Sequence, residues 1–289
     1  MKDRNEINRE LNELGSFLTL TRVYTEIASS RMRKTRDSVL KNREFLVSIH
    51  DVFTDVRVSY AREVLNLGKK NKGNKNNITF LSHNGKTVGV FLSANTGLYG
   101  DIIERTFSLF KKEIEQNNNI EVTIVGKLGL KYFQSQIPNK PYTFFDLSDR
   151  NLDQDELSTI IKHLVQYEEI RVYYPTFQSA ISQKPSKYSI SAQTPVSEMK
   201  TDSKDKTGYL FEPNLKDILV FFEKEIFASL LDQTIRESQL AKFAARMVAL
   251  DRSGENIKDE IKKLNLLSNR VKHRTQNKKQ LESLVSKFI

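Results

Sequence analysis

The stretch LKDILVFFEKEIFASLLDQTIRESQLAKFAARMVALDRSGENIKDEIKKLNLLSNRV, residues 215–271, decides the fold. From Leu215, Leu219, Phe222 and Ile226 to Ile257, Ile261, Leu264, Ser268 and Val271, one face recurs at alternating spacings of four and three. That is a heptad seam. Pro213 precedes it where a helix readily begins, and no later proline stops it. At 1.5 Å per residue, residues 215–271 would reach roughly 85 Å. A compact globule of this size needs no such rod. The N-terminal segment repeats the pattern from Ile7, Leu11, Leu14 and Leu18, through Thr21, Thr25, Ala28, Met32 and Thr35, to Phe53, Val56 and Tyr60. Polar members concentrate in the middle of both seams.

Between the rods the period changes. A polar linker, GKKNKGNKNN (68–77), leads into short β-branched and aromatic runs: TVGVFL (87–92), EVTIVG (121–126), YTFFDL (142–147) and IRVYYPTF (170–177). Helical stretches separate them, notably 101–116 and 153–167. Strand–helix alternation predicts a mostly parallel sheet with helices packed on it, able to close its own core. A second polar linker, 191–208, returns to the C-terminal helix. The expected organisation is an N-terminal coiled-coil helix over 1–67, an inserted Rossmann-like α/β domain over 78–200 and a C-terminal coiled-coil helix over 209–289. Two long helices separated by an insert bury their seams most simply as an antiparallel coiled coil.

Composition bounds the rest. Of 289 residues, 38% are hydrophobic and 28% charged, which suits a modest core and a large wetted surface. Lys plus Arg (46) less Asp plus Glu (36) gives +10, so an acidic partner is expected. No cysteine is present, which excludes disulfides, thiolate nucleophiles and cysteine metal sites. No apolar run approaches a membrane span, and the N-terminus lacks the apolar core of a signal peptide. A soluble intracellular protein, at most peripheral to a membrane, is expected.

Little here assembles catalytic chemistry. In VFLSANTGLYGDIIERTF (90–107), Gly97 and Gly100 precede a helix whose N-terminus could hold an anion. The spacing fits neither dinucleotide nor phosphate-loop patterns, and a tight turn at a strand end is the competing reading. His50, His83, His163 and His273 are scattered and read as surface residues rather than metal ligands. Asp153, Asp155 and Glu156 read as helix-N-terminal charges, and Glu168 and Glu169 as solvated turn charges. No catalytic, cofactor or metal residue is therefore assigned. Basic clusters fall on both rods: Arg31, Arg33, Lys34 and Arg36, then Arg270, Lys272, Arg274, Lys278 and Lys279. Solvated helix faces and nucleic-acid binding compete as explanations. No aromatic residues interleave as a stacking platform, which argues against nucleic acid.

The ordered set of segments resembles the gamma subunit of F-type ATP synthases over nearly the whole chain. ESQLAKFAARMVAL (237–250) is similar to the family's SExxARMxAM, and ENIKDEIKKLNLLSNR (255–270) to its NAxxxIxxLxLxxNR. LTRVYTEIASSRMRKTR (20–36) resembles ITKAMEMVAASKLRKAQ, and FLSANTGLYGDI (91–102) resembles SSDRGLCGGFN. VTIVGKLGLKYF (122–133) and IRVYYPTFQSAISQKP (170–185) find counterparts in the same order.

The resemblance implies a central rotor shaft that couples ATP synthesis or hydrolysis in a hexamer of alpha and beta subunits to rotation and proton translocation. ATP would be turned over on the beta subunits, so the chain itself would be non-catalytic and hold no cofactor. It implies hexamer contacts at Met32, Arg33, Lys34, Arg246, Met247, Asn269, Arg270 and Lys272. It also implies contacts toward the epsilon subunit or the c-ring at Leu98, Tyr99 and Gly100. The location would be the cytoplasmic face of the cell membrane, within a peripheral complex, with no nucleic-acid partner. Departures stand in these same regions. Val23 and Tyr24 replace Ala-Met, SANTGLYGD lacks the family's Asp-Arg, and VKHRTQNKKQL (271–281) replaces its ARQAxITQEL. A specialised F-type-like ATPase, using the shaft for mechanical work without proton-coupled synthesis, is the alternative. A basic coiled-coil nucleic-acid binder is the remote one.

Overall fold

A computed structural model describes residues 4–59, 77–78, 83–149, 153–191, 194–195 and 214–285. Tyr60, Pro213, most of both polar linkers and the expected domain limits at 67, 200 and 209 lie outside the described residues. The chain divides into two compact units: residues 1–31 with 246–289, and residues 32–245.

Two long helices, α1 (Arg4–Ser59) and α5 (Leu215–Val285), contribute to both units. On α1 every described seam position is buried or half-buried, with Ile7, Ala28, Val39, Phe53 and Val56 buried, whereas Arg33, Lys34 and Arg36 are exposed. Apolar area leaving water at every seam turn selects that face. In the first unit, a Cβ added at the buried Gly254 of α5 would meet Thr21 Oγ1 at 3.6 Å and Leu18 Cδ1 at 3.8 Å, ordinary packing distances. In the second unit, Asn42 Nδ2 donates to Ser229 O (3.4 Å) and Asp232 Oδ2 (3.3 Å). Farther along α1, Phe53 packs against Phe222. Within this second unit the α5 partner retreats from Ser229 to Phe222 as α1 advances from Asn42 to Phe53, so the two helices run antiparallel there. Asn214 starts α5 by accepting a hydrogen bond from the Asp217 amide at 2.9 Å, a side-chain cap.

The second unit also contains the sheet. Its strands are β2 (Thr87–Leu92), β3 (Glu121–Val125), β4 (Tyr142–Phe145), β5 (Glu169–Phe177) and β6 (Gln183–Ser191), in the order β4-β3-β2-β5-β6. The first four are parallel, and β6 runs antiparallel to β5. A short antiparallel pair, β1 (Asn77–Ile78) with β7 (Thr194–Pro195), stands apart. Helices α2 (Ile102–Gln116), α3 (Lys127–Gln136) and α4 (Gln154–Leu164) fall between the parallel strands as the alternation predicts. β2 is buried on both faces, which is why TVGVFL reads as one apolar run. β6 escaped the sequence reading. QKPSKYSIS carries Pro185, Lys184 and Lys187, the composition of an edge strand kept from pairing further.

The core has two layers. On one face Val88, Val90 and Leu92 meet Ile160 and Leu164 of α4, together with Phe227, Leu231 and Ile235 of α5. On the other, Phe91 stacks on Phe110 at 5.4 Å, among Phe107, Phe133 and Tyr173, and Ala245 of α5 joins this layer. The inserted sheet does not close its core alone. The C-terminal helix supplies side chains to both layers, and residues 238–245 are buried without interruption.

Candidate functional site

The parallel strands end at a turn, residues 93–100, that the chain folds around one carboxylate. Asp149 Oδ2 accepts from the Asn95 amide (2.8 Å), the Thr96 amide (2.9 Å) and Thr96 Oγ1 (3.0 Å). Two successive amides aimed at one point make an anion nest. Here the protein's own Asp149 fills it. Lys242 of α5 donates from Nζ to Ser93 O at 2.7 Å and lies 3.6 Å from Asp149 Oδ1. Their side chains are only 9% and 6% exposed, so each charge depends on the other and on these hydrogen bonds.

The start of α3 is tied to the same turn. The Lys127 amide donates to Asn95 Oδ1 (2.9 Å) and the Leu128 amide to Ala94 O (2.8 Å). Close approach explains the glycines of VGKLG. A Cβ at Gly126, whose φ is +100°, would fall 2.8 Å from Ala94 N, and one at Gly129 would fall 2.5 Å from Ser93 Cβ. Lys127 also pairs with Asp146 at 2.8 Å and, by that hydrogen bond, holds the Asp146 carboxyl below its ordinary range.

In open α/β sheets, ligands bind beyond the carboxyl ends of the strands. In this chain Ile235, Ser238, Gln239 and Lys242 close that place against Leu92, Ser93, Val125 and Leu147, leaving about 10 Å³. That is room for about one water molecule. The N-terminus of α2 carries Asp101 at the cap position and Glu104 in its first turn, so an anion there would meet two carboxylates. The turn reading of Gly97 and Gly100 fits; the phosphate reading does not.

The other chemical candidates fall into structural roles. Asp153 caps α4, accepting from the Asp155 amide at 3.1 Å, and Asp155 and Glu156 occupy its first turn. Glu169 is not a free turn charge: Arg171 donates to both its oxygens at 2.9 Å, and Thr87 and Ser189 join them. His163 is half-buried rather than fully on the surface. Its ring packs 5.2 Å from Phe145 and 5.5 Å from Tyr167, and burial pushes its pKa down. His83 is half-buried, while His50 and His273 are exposed. Among the described residues, no group of three or more His, Asp or Glu is arranged to hold a metal ion, and no helix is long and apolar enough to cross a membrane.

The contact residues expected from sequence distribute as follows. Arg33, Lys34, Asn269, Arg270 and Lys272 are exposed; Met32, Arg246 and Met247 are half-buried. Beyond Val271 every described side chain of α5 is exposed. At the turn, Leu98 is 59% exposed and adopts φ +70°, a left-handed conformation costly for a branched side chain. Gly100, also left-handed and exposed, follows it. Tyr99 corrects the expectation. It is buried among Phe107 and Ile103 in the second core layer, where its apolar ring is shielded, so of these three residues only Leu98 and Gly100 reach the surface. Sequence reasoning missed Asp149 and Lys242, because residues 149 and 242 converge only through the fold.

The sequence model of the ATP synthase family matches residues 3–275. The chain belongs to that family. It is similar to ATP synthase gamma chains throughout. It is 23% identical to that of Malacoplasma penetrans, covering 99% of this chain and 98% of the relative. It is 26% identical to that of Actinobacillus succinogenes, covering 94% of each. The fold is similar to a chain of the rotor of the Euglena gracilis mitochondrial ATP synthase, with TM-score 0.62, 16% identity, and 94% of this chain and 98% of that one covered. It is also similar to a chain of the central stalk and c-ring structure of the Tetrahymena thermophila enzyme, with TM-score 0.54, 17% identity, and 81% and 99% covered.

Proposed function

We propose that this chain is the central rotor shaft, the gamma subunit, of an F-type ATP synthase or ATPase. It couples nucleotide turnover in a hexamer of alpha and beta subunits to rotation and, through an epsilon subunit and a c-ring, to proton translocation. One observation carries the reading: an antiparallel helix pair buries its 4-3 seams inward and leaves Arg33, Lys34, Arg270 and Lys272 on its outside. Such a pair keeps its own cohesion and offers charge to acidic surfaces that pass it, giving each angle a different energy without a permanent tight contact. Met32, Arg246, Met247 and Asn269 belong to the same hexamer-facing surface, and Leu98 and Gly100 to the epsilon or c-ring side. The chain is non-catalytic in this reading, which is supported by the capping, ion-pairing and packing roles of Asp149, Asp153, Glu169 and His163. The complex sits peripherally on the cytoplasmic face of the cell membrane.

The proposed domain division, 1–67, 78–200 and 209–289, follows the chain's passage from helix to sheet to helix. A second reading, an F-type-like ATPase that does mechanical work without proton-coupled synthesis, is favoured by one feature. The departing segment around His273, Asn277 and Lys279 is exposed on every face, so its altered chemistry meets any partner directly. A tagged full chain tests both. Alpha- and beta-like subunits should co-purify with it under either reading, and c-ring material only under the first. Recovery of salt-labile nucleic acid without nucleotide-binding subunits would refute both. Micromolar ATP binding by the isolated chain in calorimetry would contradict the non-catalytic assignment.

A further inference from the structure

We infer that Lys242 is a positioning residue that keys the sheet to the C-terminal helix, so that the turn bearing Leu98 keeps register with α5. The inference rests on the rotor-shaft reading for its consequence, that a partner docked at the turn follows the shaft. Its structural content does not depend on that reading.

Four observations converge. First, α5 passes the carboxyl ends of the strands from one core layer to the other: Ile235 belongs to the first layer and Ala245 to the second. Lys242 lies in this passage. Second, burial of apolar side chains such as Ile235 and Ala245 has no direction of its own, whereas Lys242 Nζ fixes one backbone oxygen, Ser93 O, at 2.7 Å. A charge-assisted hydrogen bond in a buried place is directional as well as strong. Third, the neighbouring carboxylate of Asp149 continues the link by holding the amides of Asn95 and Thr96. Fourth, Thr96 Oγ1 lies 3.3 Å from Tyr99 Oη, so the fixed half of the turn is joined to the half that carries Leu98. Leu98 keeps its left-handed conformation while 59% exposed, which needs a surrounding structure that over-determines it. A buried ammonium costs desolvation that an apolar residue of similar length would avoid. Registration between helix and turn is what this side chain adds.

The test uses the full chain, which has no cysteine of its own. Spin labels are placed at Leu98→Cys on the turn and Lys224→Cys on the exposed side of α5, and their distance distribution is measured by pulsed electron resonance. Hydrogen exchange of β2 and β3 amides reports in parallel whether the sheet core is intact. The parent should give one narrow distribution. Lys242→Met combined with Asp149→Asn keeps an oxygen for the two amides and leaves no unpaired buried charge. It should at least double the width with the core still protected. Lys242→Arg, which keeps the charge and the donors, should stay narrow. An unchanged width in the double variant, or an equal broadening in Lys242→Arg, would overturn the inference. Should the double variant lose core protection, Lys242→Met alone, which leaves Asp149 its three hydrogen bonds from the turn, takes its place, and a narrow distribution there overturns it equally. Because the chain is measured alone, the result stands whichever subunits co-purify with it.

Discussion

Phe53 of α1 and Phe222 of α5 face each other with ring centroids 5.8 Å apart and planes tilted by 39°. Both stand on the 4-3 seams, and Val56 and Leu219 complete the cluster around them. The seam therefore supplies cohesion between the helices at that level. Phe53→Ala should cost about 3–5 kcal/mol, the usual range for emptying a buried aromatic position. Urea unfolding checks it. A loss below about 1 kcal/mol would show that the contact is dispensable.

The seams should matter for assembly and the outer charges for turnover. Ile261→Lys with Leu264→Lys places ammonium groups on the seam, where Leu264 is buried and Ile261 half-buried. That costs several kcal/mol, roughly the sum of lost burial and an unpaired charge. Co-purification with the hexamer should fail. Replacing Arg33, Lys34, Arg270 and Lys272 together by Gln removes exposed charges, each worth about 0–1 kcal/mol. The complex should still form, with its ATPase rate or salt dependence altered. Normal assembly of the seam variant beside a dissociated charge variant would reverse these roles.

The inserted sheet should fail as a separate domain. Strand–helix alternation alone suggests a self-contained core, but Phe227, Leu231 and Ile235 of α5 sit in its first layer. Residues 78–200 expressed alone should melt without a cooperative transition and bind a hydrophobic dye. The same segment joined to residues 214–245 should melt cooperatively. A sharp melt of 78–200 alone would mean that the α5 side chains are accessory.

How much of this was legible follows from where each signal lies. The α1 seam could be read because one helix partner selects one face, so Ile7, Ala28, Val39 and Phe53 keep a single period. β2 and β3 could be read because burial on both faces concentrates β-branched and aromatic residues. Over 231–245 the period fails as a guide. There α5 meets the sheet as well, and Leu231, Ile235, Ala241 and Ala244 are buried beside the seam members Leu240 and Phe243. β6 was hidden for the opposite reason, since an edge strand tolerates Lys and Pro. The Asp149–Lys242 pair was beyond reach because no local pattern links a loop carboxylate to a helix side chain 93 positions on.

Acid should destabilise the sheet through its carboxylates. Burial pushes the Glu113 carboxyl up, but hydrogen bonds from Lys187 and Tyr173, with the charges of Lys187 and Arg171, outweigh it and hold it below 4.5. The hydrogen bonds from Arg171 do the same for Glu169, against its burial. An acid whose folded pKa is depressed contributes stability that is complete above its unfolded value and lost as pH falls through the folded one. The melting temperature should therefore hold down to about pH 5 and fall below about 4.5, and Glu113→Gln should flatten that fall. Equal slopes in parent and variant would remove Glu113 from the account.

Rotation of this chain inside its ring is the most direct measurement of all. Ile181 stands 81% exposed between β5 and β6, and the chain has no cysteine to compete with Ile181→Cys as a probe attachment point. With the hexamer held to a surface, a probe at that position should turn in one direction when ATP is added and stop when it is withdrawn. ATP hydrolysed by the assembled complex while the probe keeps a fixed angle would contradict the rotor-shaft assignment.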